Sequence, residues 1–316
     1  MEKIDFYNIP VADYLLSIGE PLINVGHNYY QHKDHDSLKI NVRKNYFIWN
    51  SRSGEKNASG GVVQYLQIMY GLTLQESLNK VAHDIEGKEL KKVAKKVYPK
   101  YFNYQVKETF VPLEAQRYLV ASRKIANSVI RKFFHLGLIT QNEGKEIIFK
   151  WYCGSQIVGF SKQGTVKLTQ EEKDKYHTKK DYFKYVAPTT EKDSLWGFNY
   201  LEGLPKNLYF FESEIDLLSY YTLFKNDLEE QENFWLISIN GVALQKIFNF
   251  LKYGIEKMDL KNNCQTLNIC FDNDTAGKKA MEELKKINFN EIEFESKLPP
   301  SEKDWNEFLI RERTKK

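Results

Sequence analysis

Residues 266–287, TLNICFDNDTAGKKAMEELKKI, restrict the fold more than any other stretch of the chain. An apolar run from Leu267 to Phe271 ends in Asp272, Asp274 stands two residues on, and Thr275-Ala276-Gly277 makes a small-residue turn. Ala280, Met281, Leu284 and Ile287 then recur at helical spacing. Strand, acidic turn and helix form half of a parallel α/β unit, and in such sheets ligands gather beyond the carboxyl ends of the strands. Two carboxylates on one short turn repel each other unless a cation stands between them, and hard oxygen ligands suit Mg²⁺. The plain alternative is a solvated turn at a helix N-terminus, where negative charge is favoured in any case.

The same rhythm runs through the last third of the chain. Strand-like segments at 208–212, 235–239, 267–271 and 292–294 are each followed by a helical pattern, at 215–224, 244–253, 277–287 and 305–311. Such βα repetition predicts a mostly parallel sheet with helices on both faces. Glu212, Gly241, the Asp272/Asp274 pair and Asp304 fall at or just beyond successive strand ends, so sheet topology gathers them on one rim. Asp216, one helical turn after Glu212, is placed to orient the helix rather than to bind.

Upstream, 112–135 reads as a pair of helices, 147–151 and 156–160 as a hairpin turning at Cys153-Gly154, and 165–184 as a lysine-rich loop. Residues 85–110 end in Val97-Tyr98-Pro99-Lys100-Tyr101-Phe102 and read as a linker, or as a basic and aromatic segment lying along a nucleic-acid strand. At the front, a short helix with Val11, Tyr14, Leu15 and Ile18 on one face precedes strand-like runs at 28–30, 37–42 and 46–49. Gly60-Gly61 then opens an amphipathic helix, and another starts at Leu74. His27, His32 and His35 crowd into this block without a nearby cysteine, which favours surface histidines over a metal site.

With 316 residues, 42% of them hydrophobic, the chain has room for more than one core. No run is apolar enough for a membrane span, and MEKIDFYNIP does not read as a signal peptide. Cys153, Cys264 and Cys270 give no disulfide framework and no C-x-x-C pair, which suits a reducing, cytoplasmic setting. Residues 1–205 carry a net charge of +8 and residues 206–316 a net charge of −4. A polyanion held by the basic part and processed at a carboxylate-bound metal in the acidic part accounts for that split, as does ordinary surface charge.

The order of these motifs resembles the toprim domain, the metal-binding fold shared by bacterial primases, topoisomerases and certain nucleases, whose signature is a Glu after the first strand and a D-x-D after the third. FDNDTAGKKA, FESEIDLLS and KDWNEFL are similar to three primase segments, with Ser213 where a glycine is usual. IIFKWYCGSQIVGF and FKYVAPTTEKDSLWGFNYL are similar to segments of the basic subdomain that precedes toprim in primases. NYYQHKDHDSLKI and NYFIWNSRSGEKNASGGVVQYLQ follow the layout of the primase zinc module, but every cysteine is absent. No zinc is therefore expected, and packing of Tyr30, Leu38, Phe47 and Trp49 would replace it. This layout resembles the cysteine-less toprim accessory proteins of Gram-positive conjugative plasmids and transposons.

The resemblance implies an α+β and α/β multidomain chain. A degenerate zinc-ribbon-like N-terminal module occupies 1–84, a linker 85–111, a mixed α+β basic subdomain 112–205, and an α/β toprim domain 206–316. It implies catalysis by Glu212, Asp272 and Asp274, with Mg²⁺ or Mn²⁺ held by these residues and Asp304. Gly241, Lys278 and Lys279 would meet the nucleoside triphosphate. Arg123, Arg131, Lys150, Lys162 and Lys184 would meet the phosphates of a single-stranded DNA template, adding salt dependence without sequence preference. The implied reaction is primer synthesis for plasmid or transposon replication or transfer, beside a replicative helicase or relaxase and away from any membrane. Two other readings use the same residues: a toprim nuclease, and a non-catalytic DNA-binding accessory protein.

Overall fold

Alternation of apolar and polar residues from Leu22 onward produces an antiparallel meander. In the computed structural model, which describes residues 6, 9–26, 28–86, 98–175, 178, 180–287 and 292–315, the chain divides into units Met1–Val97 and Tyr98–Lys316. His27 and most of the basic stretch after Glu86 lie outside the described residues. No described helix is long and apolar enough to cross a membrane.

In the first unit, α1 (Val11–Ser17) precedes strands β1 (Leu22–Gly26), β2 (Tyr29–His32), β3 (Leu38–Asn41), β4 (Tyr46–Trp49) and β5 (Ser59–Gly60), each paired with the next. Helices α2 (Val62–Tyr70) and α3 (Leu74–Ile85) complete it. Gly71 ends α2 at a left-handed φ of 69°, and Thr73 opens α3 through a reciprocal box with Glu76. Leu38, Phe47 and Trp49 are buried in one cluster with Val62, Tyr65 and Leu66, and Tyr30 is half-buried against them. Apolar packing thus holds together the segment that resembles a zinc module.

The second unit opens with α4 (Leu113–Arg117), which runs into a π-helical turn, Tyr118–Ser122, and then α5 (Asn127–His135). Strands β6 (Ile139–Gln141), β7 (Ile147–Cys153), β8 (Gln156–Lys167) and β9 (Tyr182–Val186) form an antiparallel sheet, with α6 (Gln170–Lys175) between the last two. The lysine-rich stretch expected as a loop is thus largely ordered. Lys167 and Lys173 both pair with Asp181, at 3.5 and 2.7 Å, so its charges close the excursion on itself, which no hydrophobic period announces.

The C-terminal elements are β10 (Asn199–Glu202), β11 (Asn207–Phe211), α7 (Glu214–Leu223), α8 (Lys225–Gln231), β12 (Phe234–Ser238), α9 (Leu244–Lys257), α10 (Leu260–Asn263), β13 (Thr266–Ile269), α11 (Thr275–Lys285), β14 (Glu293–Ser296) and α12 (Trp305–Thr314). Their sheet has the order β10-β12-β11-β13-β14. The four βα strands run parallel, as their crossover helices require, and β10 joins antiparallel at the β12 edge. The fold is therefore mixed α+β, ending in a mostly parallel α/β sheet. One core extends across position 205: Phe149 packs on Phe198, and Phe133 on Tyr200 and Tyr221. Trp305 is buried edge-on against Tyr220, and its Nε1–H donates to the Cys270 carbonyl at 3.2 Å, fixing α12 to the end of β13. Truncating such a buried indole costs about 3–5 kcal/mol.

Candidate active site at the rim of the parallel sheet

Because β11 lies between β12 and β13, the residue that follows it is flanked by both neighbours' ends. That residue is Glu212. On the β12 side, Gly241 N–H donates to the Glu212 carbonyl at 2.7 Å. On the β13 side, Asp272 N–H donates to Glu212 Oε1 at 3.2 Å. The approach depends on Gly277 in the first turn of α11. A Cβ there would stand 2.2 Å from the Asp272 carbonyl oxygen and 3.1 Å from Glu212 Oε1.

The other acids are placed by helix starts. Asp274 caps α11, its Oδ1 accepting from the N–H groups of Ala276 and Gly277 at 3.0 Å each. Asp304 caps α12, accepting from Glu307 N–H at 2.7 Å. Asp216 is buried in the first turn of α7, where Ser213 caps the helix and donates its hydroxyl to the Asp216 carboxylate. Asp216 Oδ1 also accepts from Asn306 N–H at 3.2 Å. Asn306 further bonds Ser219 Oγ and the Arg123 carbonyl, both at 2.9 Å, so Asp216 helps to join three elements.

These acids feel one another. Burial pushes the Glu212 carboxyl up to about 7; the hydrogen bond from Asp272 opposes the shift, and the charges of Asp274 and Asp216 add to it. Burial likewise pushes Asp272 up to about 7, helped by Glu212 and Asp304. Asp216 is raised by burial and then by Asp304 and Asp272. For Asp272 the relief comes from Lys303, whose Nζ stands 3.5 Å from Asp274 Oδ2 and 3.8 Å from Asp272 Oδ2. Its pKa is raised because, against the cost of burial, the charges of Asp272 and Asp274 favour the ammonium. The sequence places Lys303 directly before Asp304, and a base beside an acid-rich rim was the available signal for a role it was not given.

Among the described residues, no group of three or more His, Cys, Asp or Glu side chains is gathered tightly enough to hold a metal ion. The donor chemistry nonetheless fits a hard divalent cation: the groups are carboxylates, two of them are destabilised by their own charge, and an ammonium already stands where a cation is favoured.

The remaining residues singled out from the sequence divide. Gly241 has φ 87°, and a Cβ there would meet nothing within 4 Å, so the left-handed backbone rather than a close approach calls for glycine. Its N–H is engaged by Glu212. Lys278 and Lys279 are exposed on α11. Arg123 follows the π-turn; it donates Nε–H to Tyr118 Oη at 2.7 Å and lies over Tyr182. Lys184 is exposed on β9, and its charge reaches Asp216. Arg131 is exposed on α5.

Lys150 and Lys162 are elsewhere. The pairings Ile148↔Lys162, Lys150↔Phe160 and Lys162↔Tyr185 put both on the sheet face opposite Gln163 and Lys184. Lys150 is buried and paired with Glu108 at 2.8 Å, and Lys162 is paired with Glu146 at 3.1 Å. A further group was missed: Glu214, buried on α7, accepts from Ser161 Oγ and Asn240 Nδ2 and so ties β8 to the turn carrying Gly241. A single acid in an apolar helix start carries no sequence signal for such a link.

A family model described as Toprim-like matches residues 209–309, the span that builds this rim. An uncharacterized Bacillus anthracis protein, pXO2-78, is 31% identical over 319 residues, covering 95% of this chain and 86% of the relative. Among solved structures, the primase fragment of the bacteriophage T7 primase-helicase is 14% identical, with a TM-score of 0.40 over 89% of this chain and 91% of that one. A T7 primase domain solved with the lagging-strand polymerase is 16% identical, with a TM-score of 0.39 over 67% and 88%. The rim geometry, the toprim match and the near full-length relative agree: this chain carries a Toprim-like domain and belongs to one family with the Bacillus anthracis protein.

Proposed function

We propose that this protein is a metal-dependent nucleotidyltransferase that makes primers on single-stranded DNA. The observation that carries the reading is the contact between Glu212 Oε1 and the Asp272 N–H, which brings two half-buried carboxylates from adjacent strands onto one rim. Asp272, Asp274, Asp304 and Glu212 are the residues that would hold one or two Mg²⁺ or Mn²⁺. When bound, the metal supplies charge neutralisation at the phosphoryl oxygens.

The chain's own groups do the rest. Glu212 Oε2, the oxygen not engaged by Asp272 N–H, accepts the proton of an attacking 3′-hydroxyl. Lys303 holds positive charge beside Asp272 and Asp274 and shifts toward substrate phosphate as the acids gain another cation. Lys278 and Lys279 meet the triphosphate. Arg123, Lys184 and Arg131 meet the template backbone. Lys150 and Lys162 are assigned no part in that contact, because both are ion-paired on the other face of the sheet. The setting is cytoplasmic processing of plasmid or transposon DNA beside a helicase or relaxase, as the sequence resemblance implies.

The test is to incubate the purified chain with single-stranded template, labelled nucleoside triphosphates and Mg²⁺ or Mn²⁺. Short labelled products support primer synthesis, and a shortened template supports the nuclease reading instead. A bound but unchanged template supports a non-catalytic accessory, in which Lys303 would be the acids' standing counter-charge.

A further inference from the structure

The face of the β6–β9 sheet carrying Lys150, Lys162 and Tyr185 is not bare. Ile148, Phe160 and Ala187 form a small separate core there, covered by Phe102, Tyr104 and Val106 from the segment that opens the second unit. Tyr104 meets Phe160 edge-on at 5.6 Å, and Phe102 lies 6.2 Å from the same ring. Beside this contact is a cavity of about 440 Å³, walled by the covering segment, the sheet face and the β6–β7 turn. No residue of the carboxylate rim lines it.

The lining is of a distinctive kind. Tyr185 presents its ring with 37% of the residue exposed, and Phe183 continues that surface with a parallel ring 6.4 Å away. The carboxamides of Asn103 and Gln105 offer donors and acceptors together, while that of Asn142 is engaged by Glu146. Lys107 stands on one wall and Lys162 on the other, with Lys162 lying 5.8 Å from the Tyr185 ring. Glu143 adds one acceptor carboxylate. A π-face, amide edges and the exposed Lys107 ammonium within one small cavity match an unstacked nucleobase with its phosphate, which is how single strands are held. A base pair within a duplex has neither face free for such a ring.

We infer that this cavity binds a nucleobase of single-stranded nucleic acid, making a second strand contact on the sheet face turned away from the carboxylate rim. Tyr185 stacks on the base, Asn103 and Gln105 meet its edge, and Lys107 meets the flanking phosphate. The contact is independent of the chemistry proposed for the rim, because it shares none of those acids.

The experiment uses the full chain with a fluorescein-labelled oligothymidylate, and a 5-iodouracil version for photocrosslinking. Crosslinks are expected within 102–107 or at Tyr185. Tyr185→Ala should weaken binding by about tenfold, as loss of one base stack does, and Tyr185→Trp should restore it. Lys107→Glu, on the covering segment, should weaken binding without disturbing β9. Asp272→Asn should leave oligonucleotide binding unchanged, so failure of the catalytic reading and failure of this one are separately visible. Crosslinks confined to the Arg123 and Lys184 side, undiminished binding by Tyr185→Ala, equal competition by duplex, or no binding by the unaltered chain would each overturn the proposal.

Discussion

Two sets of buried ionisable groups in this protein are built on opposite rules. In the N-terminal unit, Glu20 and His32 are both buried, with His32 Nε2 3.0 Å from Glu20 Oε2. Tyr70 donates its hydroxyl to the other Glu20 oxygen, and His32 Nδ1 accepts from Asp34 N–H at 3.2 Å. Every partner there is complementary. At the rim of the parallel sheet, Glu212, Asp272 and Asp216 are partly or fully buried beside one another with the same sign of charge. Lys303, more than half exposed, is a weak counterweight. The first arrangement holds a fold together. The second is tolerated at a cost in stability, which is the usual mark of a site awaiting a cation or substrate.

The largest expected effect is on activity: Asp272→Asn should lower primer synthesis by about 10³-fold, the upper range for losing a group that stabilises transition-state charge. The same variant should be at least as stable as the parent without metal, because it removes one of several neighbouring like charges. A substantially lower melting temperature for Asp272→Asn would mean that the rim is built for stability. Next, His32→Ala should destabilise the chain by about 2–3 kcal/mol, since it leaves a buried Glu20 carboxylate oxygen without its hydrogen-bond donor. Denaturant titration measures it, and an effect near zero would dissolve the contrast between the two sites.

Gly277→Ala comes third. Its methyl must displace the Asp272 backbone, costing about 1–3 kcal/mol by overpacking, and primer synthesis should fall more than template affinity does. The smallest effect is on pH dependence. Glu212 and Asp272 have folded pKa values near 7, raised from ordinary carboxylate values, so the folded chain binds more protons than the unfolded chain between those limits. Their contribution to stability is therefore present at low pH and lost as pH rises toward and through 7. Melting temperature without metal should fall between about pH 5 and pH 8, and Mg²⁺ should restore more of it at pH 8 than at pH 5. Identical Mg²⁺ responses at both values would remove the acids from metal binding.

Much of the C-terminal sheet was legible because its signals are local. Apolar runs ending in Glu212 and Asp272 gave strand ends, and small residues at 275–277 gave a helix start, so the rim followed from chain order and parallel topology. The described part of the lysine-rich excursion after Lys167 was not legible, because its closing contacts, Leu168 N–H to the Asp181 carbonyl and Lys173 to the Asp181 carboxylate, leave no hydrophobic period. Nor was the separation of the template candidates. Lys150, Lys162 and Lys184 look alike in sequence, yet side-chain alternation along β7, β8 and β9 sends Lys184 to one face and the other two to the opposite face.

By itself, the sequence determined which acids stand at strand ends and that the N-terminal module lacks cysteine ligands, since composition and the order of elements are properties of the chain alone. Only the tertiary structure decided that Asp216 is locked to Asn306, that Lys303 faces Asp272 and Asp274, and that two template candidates are engaged on the far side of a sheet. Those outcomes depend on strand register and on how closely α11 and α12 approach the rim, and such distances arise between segments far apart in the chain.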